Sequence, residues 1–234
     1  ECYRGYIGSL LNNAYVGSCP ALSCPLCLSI PNSDGSKKAR PRLMPAAQVL
    51  NLFPTTIERD KYNTLVANLL SFQCSGCHCR RSLLVEGGSE EAWPALRLHL
   101  PDAALHGQLE ALLLGLDTGE LTVEETYRRL SIDIFPFMQS NKNESRVAEV
   151  FNLALQCVAE PERRANLHLR YLRDRPFITT ACCKRAHCFT CKSRNWHEGK
   201  TCAENSNTFF DGKVLPCPSC GIQLTKGDGC DHIT

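Results

Sequence analysis

Cysteine spacing constrains this chain more than any other feature. Sixteen of its 234 residues are Cys, and nine of them fall in short groups: Cys74-x-x-Cys77 with Cys79, the adjacent Cys182-Cys183, Cys188-x-x-Cys191 and Cys217-x-x-Cys220. Disulfides and zinc are the two physical explanations for such density. A Cys-x-x-Cys knuckle holds two thiolates on one tight turn, which is half of a tetrahedral zinc site. Repeated knuckles with an interleaved His favour zinc and a reducing compartment, the cytoplasm or the nucleus. No apolar run is long enough to span a membrane, and no secretory signal precedes the first Cys. A formal net charge of +2 supplies no field that would draw nucleic acid.

The stretch 182–202, CCKRAHCFTCKSRNWHEGKTC, contains one complete ligand set: Cys188, Cys191, His197 and Cys202. Thiolate and neutral imidazole both bind Zn²⁺ at neutral pH, so the residue types suit the metal. Cys74, Cys77 and Cys79 form a second knuckle with one thiol to spare. Cys217 and Cys220 open a third. Ten residues on come Cys230 and His232, which have two readings. They are either two further zinc ligands, or a thiol activated by a neighbouring imidazole.

Between the cysteine groups the pattern is helical. Residues 44–72 carry apolar positions at helical spacing, interrupted at Pro54. Residues 89–172 hold a single Cys, Cys157, which sits among Phe151, Leu153, Leu155 and Val158 and reads as core. Helices are expected over about 103–115, after a capping box formed by Thr122 and Glu125, over 144–159 and over 162–172, with a break at Pro161. His99, His106 and His168 have no ligand partners in sequence and read as ordinary surface or core residues. Residues 28–41 read as a loop.

Read together, these groups resemble the RING-between-RING ubiquitin ligases. The closing stretch, Cys217-Pro218-x-Cys220 followed by Gly229-Cys230-x-His232-Ile233-Thr234, resembles the start of their second RING. Residues 188–202, with Phe189 and Trp196-His197, resemble the end of their between-RING domain. The opening Cys2, Tyr6, Cys19-Pro20 and Cys24 resemble the tail of their first RING, where Cys2 would serve one zinc site and Cys19 with Cys24 the other. A private site from Cys2, Cys19, Cys24 and Cys27 is the alternative there. The chain opens without Met and stops inside a motif, and so reads as a piece of a longer product.

The resemblance implies small zinc-stabilised α+β modules with an all-α insertion. Residues 1–27 would be the end of the first RING, and 28–73 a linker with helices. Residues 74–85 and 177–202 would form the between-RING domain, with 86–176 inserted into it as a helical block. Residues 203–234 would be a linker and the start of the second RING. The first between-RING site would draw an early and a late cysteine group. Adjacent cysteines rarely share one metal, and Thr179 and Thr180 stand where a ligand is usual. The expectation is therefore three early ligands, Cys74, Cys77 and Cys79, and one late one from Cys182 or Cys183.

The same resemblance implies the activity. Ubiquitin would pass from a conjugating enzyme to Cys230 as a thioester, and then to a lysine of a protein substrate, with His232 assisting the second step. The rival readings are a zinc scaffold that only binds protein partners, with Cys230 as a structural ligand, and a nucleic-acid-binding zinc ribbon, which the charge argues against.

Overall fold

A computed structural model describes residues 56–100, 102–139, 144–191, 193, 195–207, 214–216 and 223–225, and isolated positions before residue 56. Cys2, Cys19, Cys24, Cys217, Cys220, Cys230 and His232 lie outside the described residues. Backbone contacts divide the chain into two units. One comprises Glu1–Ser71 with Ser82–Arg170, the other Phe72–Arg81 with Tyr171–Thr234.

The first unit is helical. Its described elements are α1 (Thr56–Leu69), α2 (Ala92–His99), α3 (Ala103–Thr118), α4 (Val123–Arg129), a π-turn (Leu130–Ile134), α5 (Phe135–Gln139), α6 (Glu144–Cys157) and α7, which starts at Pro161 and runs to Asp174. Asp102 caps α3, accepting the Ala104 N–H at 2.9 Å, and Gly119 ends it with φ 78°, a left-handed conformation glycine adopts without a side-chain clash. Thr122 caps α4 by accepting the Glu125 N–H at 3.2 Å. The expected capping box is only half made, because the Glu125 carboxylate turns outward to Arg128 and Arg129, each at 2.8 Å. The π-turn has a local cause. Pro136 has no N–H to give and its ring crowds the carbonyl four residues back, so the preceding turn widens and Phe135 N–H reaches Leu130 instead.

Leucines of α3 (Leu109, Leu113, Leu116), Phe151 and Leu155 of α6, and Leu167 of α7 are fully buried together with Tyr62 and Val66 of α1. Tyr127, Phe135, Phe151 and His168 form an edge-to-face series with ring centroids 6.1–6.2 Å apart. Cys157 is buried, as its apolar neighbours suggest, and loss of solvent pushes its thiol up to about 12.

A buried polar network fixes the start of α7. The Glu160 carboxylate accepts the Tyr62 hydroxyl and, at 2.7 Å, the Arg163 N–H. Asp117 accepts the Ala159 N–H at 3.0 Å. Arg163 donates to the Leu116 carbonyl at 2.9 Å, and Arg164 to that of Val158 at 2.6 Å. Helix α1 thereby belongs to the same core as the helices after residue 86. Gly87 lies against this network: a Cβ there would stand 2.5 Å from the Val158 carbonyl oxygen and collide with the Arg164 guanidinium.

Glu162 is also buried, 7% exposed, with Asn166 donating to it at 2.6 Å. Loss of solvent, and then the neighbouring Glu160, push its carboxyl up to about 8 from 4.5. The native state therefore holds a proton that the unfolded chain releases, and stability present below 4.5 is lost as pH rises through 8. His168, held down to about 4 from 6.5 by burial, acts in the opposite sense on the acid side, so the clean window is above pH 6.5. In Glu162→Gln the fall in stability across this alkaline window should flatten by up to ~1 kcal/mol per pH unit, measured by urea unfolding of the helical signal.

The second unit is cysteine-rich and built on short hairpins: β1 (Ser71–Gln73) with β2 (Arg80–Ser82), β3 (Phe177–Thr179) with β4 (Ala186–Cys188), and β5 (Val214–Pro216) with β6 (Gln223–Thr225). Each pair encloses six residues: 74–79, 180–185 and 217–222. Helix α8 (Cys202–Asn207) follows the second hairpin. No helix among the described residues is long and apolar enough to cross a membrane.

Candidate metal centres

Among the described residues, two four-residue clusters form in the cysteine-rich unit. Cys74, Cys77, Cys182 and Cys183 make the first, and Cys188, Cys191, His197 and Cys202 the second. Within each, all ligand atoms lie within 4.8 Å of one another. A tetrahedron of 2.3 Å metal–sulfur bonds has edges of about 3.8 Å. The observed edges sit close to that: 3.4 Å between Cys77 and Cys182 sulfurs, 3.6 Å between those of Cys188 and Cys202, and 3.3 and 3.7 Å from His197 Nε2 to Cys191 and Cys202. The clusters can each hold a metal ion, and their geometry and donor types are compatible with zinc.

The first cluster joins two copies of one turn. In the first hairpin the Cys74 N–H bonds the Cys79 carbonyl at 3.0 Å and the His78 N–H bonds Cys74 at 2.9 Å. In the second the Thr180 N–H bonds Arg185 and the Lys184 N–H bonds Thr180, both at 2.9 Å. His78 and Lys184 take left-handed φ of 57° and 52°. Residue for residue, Thr180 occupies the place of Cys74, Cys183 that of Cys77, and Arg185 that of Cys79. The ligand missing at Thr180, whose hydroxyl instead accepts the Arg185 N–H at 2.9 Å, is replaced by Cys182, at the place of Gly76. Gly76 must stay small, since a Cβ there would meet Cys183 Sγ at 3.1 Å and Arg185 Nε at 3.0 Å.

Two early and two late ligands thus come together, where three and one were expected. Cys182 and Cys183 share the cluster because they lie in a tight turn, where neighbouring side chains need not alternate between faces as they do along a strand. Cys79 is outside the cluster and exposed; its carbonyl serves the turn. In sequence, Cys217, Cys220 and Gly221 are the first, fourth and fifth residues after β5.

The backbone prepares the thiols for a cation. N–H groups of Cys77 and Gly76 directed at Cys74 Sγ lower its pKa to about 5, while hydrogen bonding to Cys77 pushes Cys183 up to about 12. In the second cluster the Cys188 thiol, by hydrogen-bonding Cys191, holds it at about 4, and Cys188 is itself pushed up. Without metal, close thiols cannot all ionise; a divalent ion removes that repulsion and displaces their protons.

The second cluster is the more enclosed. Cys188 is 1% exposed and ends β4; His197 is 9% exposed. His197 Nδ1 pairs with the Lys200 carbonyl at 2.8 Å, which assigns the proton to Nδ1 and leaves Nε2 free to ligate. Trp196 stacks on the imidazole, centroids 5.2 Å apart, and Phe177 meets Trp196 edge-on at 5.1 Å. Cys202 opens α8 behind a full capping box, in which Thr201 Oγ1 accepts the Glu204 N–H at 3.2 Å and Glu204 accepts the Thr201 N–H at 2.7 Å. The sequence signal, Thr-x-x-Glu around a ligand, was there to be read and was missed. His187, a weaker ligand candidate in sequence than the cysteines around it, is buried outside both clusters. Its Nε2 lies 3.3 Å from Ser75 Oγ, and its Nδ1 lies 3.1 Å from the Ser193 carbonyl. It braces the loop of one cluster against that of the other.

The ligand substitution in the first cluster can be tested by moving it back. Cys182→Ala should weaken metal binding more than about a hundredfold, beyond the range of an outer-shell change. Thr180→Cys added to Cys182→Ala should restore most of it, because position 180 already has the backbone of position 74. Competition with a chromophoric chelator reads both. No family model, curated protein or solved structure matches the chain.

Proposed function

We propose that both clusters hold zinc and that this chain is part of a RING-between-RING ubiquitin ligase. The observation that carries the reading is the pairing of Cys74 and Cys77 with Cys182 and Cys183 across the helical block, followed directly by the Cys188–Cys202 cluster. The resemblance implies this order of ligands for a between-RING domain, and no single knuckle would imply it. The strand pairing of Val214–Pro216 with Gln223–Thr225 around the Cys217–Cys220 segment supports a third knuckle ahead of Cys230.

In this reading the zinc ions are structural. Each takes four protein ligands and leaves no open position for substrate. The chemistry belongs to Cys230, whose thiolate would attack the thioester carbonyl of a charged conjugating enzyme and expel that enzyme's thiolate. His232, two residues on, would then take the proton of the attacking lysine amine, since residues two apart share a face wherever a chain is extended. The partners are a conjugating enzyme, ubiquitin and a protein substrate.

The full-length protein, mixed with a charged conjugating enzyme, should form a ubiquitin adduct that thiol reductants cleave. Cys230→Ser should give a reductant-resistant oxyester, and His232→Ala should load ubiquitin but discharge it at least ~100-fold more slowly. Unchanged ligase activity in Cys230→Ala, or protection of Cys230 from iodoacetamide only while zinc is bound, would instead make the chain a zinc scaffold for protein partners.

A further inference from the structure

The two clusters are built from similar ligands but differ in exposure. In the first, Cys77, Cys182 and Cys183 are exposed and only Cys74 is buried. In the second, Cys188 and His197 are buried, and the Trp196 ring covers the imidazole. The first cluster also offers four oxidisable sulfurs, and the second three sulfurs and an imidazole that cannot join a disulfide. Cys77 and Cys182 belong to opposite hairpins and their sulfurs are 3.4 Å apart. A bond between them would tie together the same two loops that the metal ties.

We infer that the exposed face of the first cluster is an oxidative modification site, at which a peroxide joins Cys77 to Cys182 and displaces the metal while the second cluster keeps its own. One thiolate attacks the peroxide, its sulfur gains an oxygen as a sulfenic acid, and hydroxide leaves as the O–O bond breaks. The second thiolate attacks that sulfur, the S–S bond forms, and the oxygen departs as a second hydroxide. The two sulfurs together lose two electrons and the peroxide gains them. Two solvent protons convert the hydroxides to water. The ion, stripped of two of its four anionic ligands, dissociates. Cys74 and Cys183 remain as thiols, so reduction restores the site.

This inference rests on the clusters holding zinc and not on the ligase reading. The test uses the whole zinc-loaded chain, titrated with hydrogen peroxide in the presence of a chromophoric zinc chelator, with peptide mapping under non-reducing conditions. One equivalent of zinc should leave well before the second, together with a Cys77–Cys182 cross-link, and a thiol reductant should reverse both. Cys79→Ser, which removes the exposed thiol next to the cluster, should change neither. Release of both ions together, release from the second cluster first, or a cross-link through Cys79 would overturn the proposal. A chain that binds no zinc before oxidation would overturn the cluster reading beneath it.

Discussion

On the two-zinc reading, chelation should unfold the cysteine-rich unit of this protein and leave the helical unit folded. The metal-binding unit has little else to stand on. Its strands are three residues long, and among the described residues its buried apolar side chains, cysteines aside, are few: Phe72, Tyr171, Leu172, Ile178 and Phe189. A structural zinc contributes roughly 10–16 kcal/mol in small domains, far above what such a core supplies. The helical unit has its own core of leucines and aromatics on α1, α3, α6 and α7 and owes nothing to the clusters. Chelation at neutral pH should therefore abolish amide protection in residues 72–81 and 177–202 while protection in α3 and α6 persists. Loss of protection throughout would show that the helices depend on the metal.

The second large effect should come from Glu160→Ala. Its carboxylate accepts the Tyr62 hydroxyl and the Arg163 N–H, and its charge favours the Arg164 guanidinium, whose pKa burial lowers. Truncation leaves a buried cation with less countercharge, a buried hydroxyl without that acceptor and an uncapped α7. Leaving two buried donors without their charged acceptor costs about 2–5 kcal/mol, a large part of a domain's stability. Tyr62→Phe deletes only the neutral partner and should cost about 1–2 kcal/mol. Equilibrium unfolding measures both. Equal costs would mean that the charge at Glu160 contributes nothing.

Sequence pattern revealed most of what depends on local spacing. Cys188, Cys191, His197 and Cys202 lie within fifteen residues, so their ligand set could be read as a string and the structure brings those four together. The helices at α3, α6 and α7 lie where the apolar periodicity and Pro161 place them. The first cluster was harder, because its halves are about a hundred residues apart and one ligand has moved. A Cys-x-x-Cys pattern finds Cys74 and Cys77 but cannot find Cys182 and Cys183, whose equivalence to the first knuckle lies in the backbone bonds of Thr180 and Lys184.

Helix α2 lies outside the expected helices, and it contains Pro94. That proline falls in the first turn, where its absent N–H costs nothing. The tie between α1 and the later helices was also invisible, since nothing local joins Tyr62 to Glu160. The expected insertion boundary after residue 85 followed the cysteines, whereas the helical core draws on residues from both sides of the first knuckle.

The most direct test of the two-centre account is native mass spectrometry of the purified chain beside its Cys183→Ser and Cys191→Ser variants. The account predicts two tightly held zinc ions in the parent chain and one in each variant, the two single-zinc species differing in which cysteines resist alkylation. A zinc-free parent chain, or one whose clusters are joined by disulfides, would contradict it.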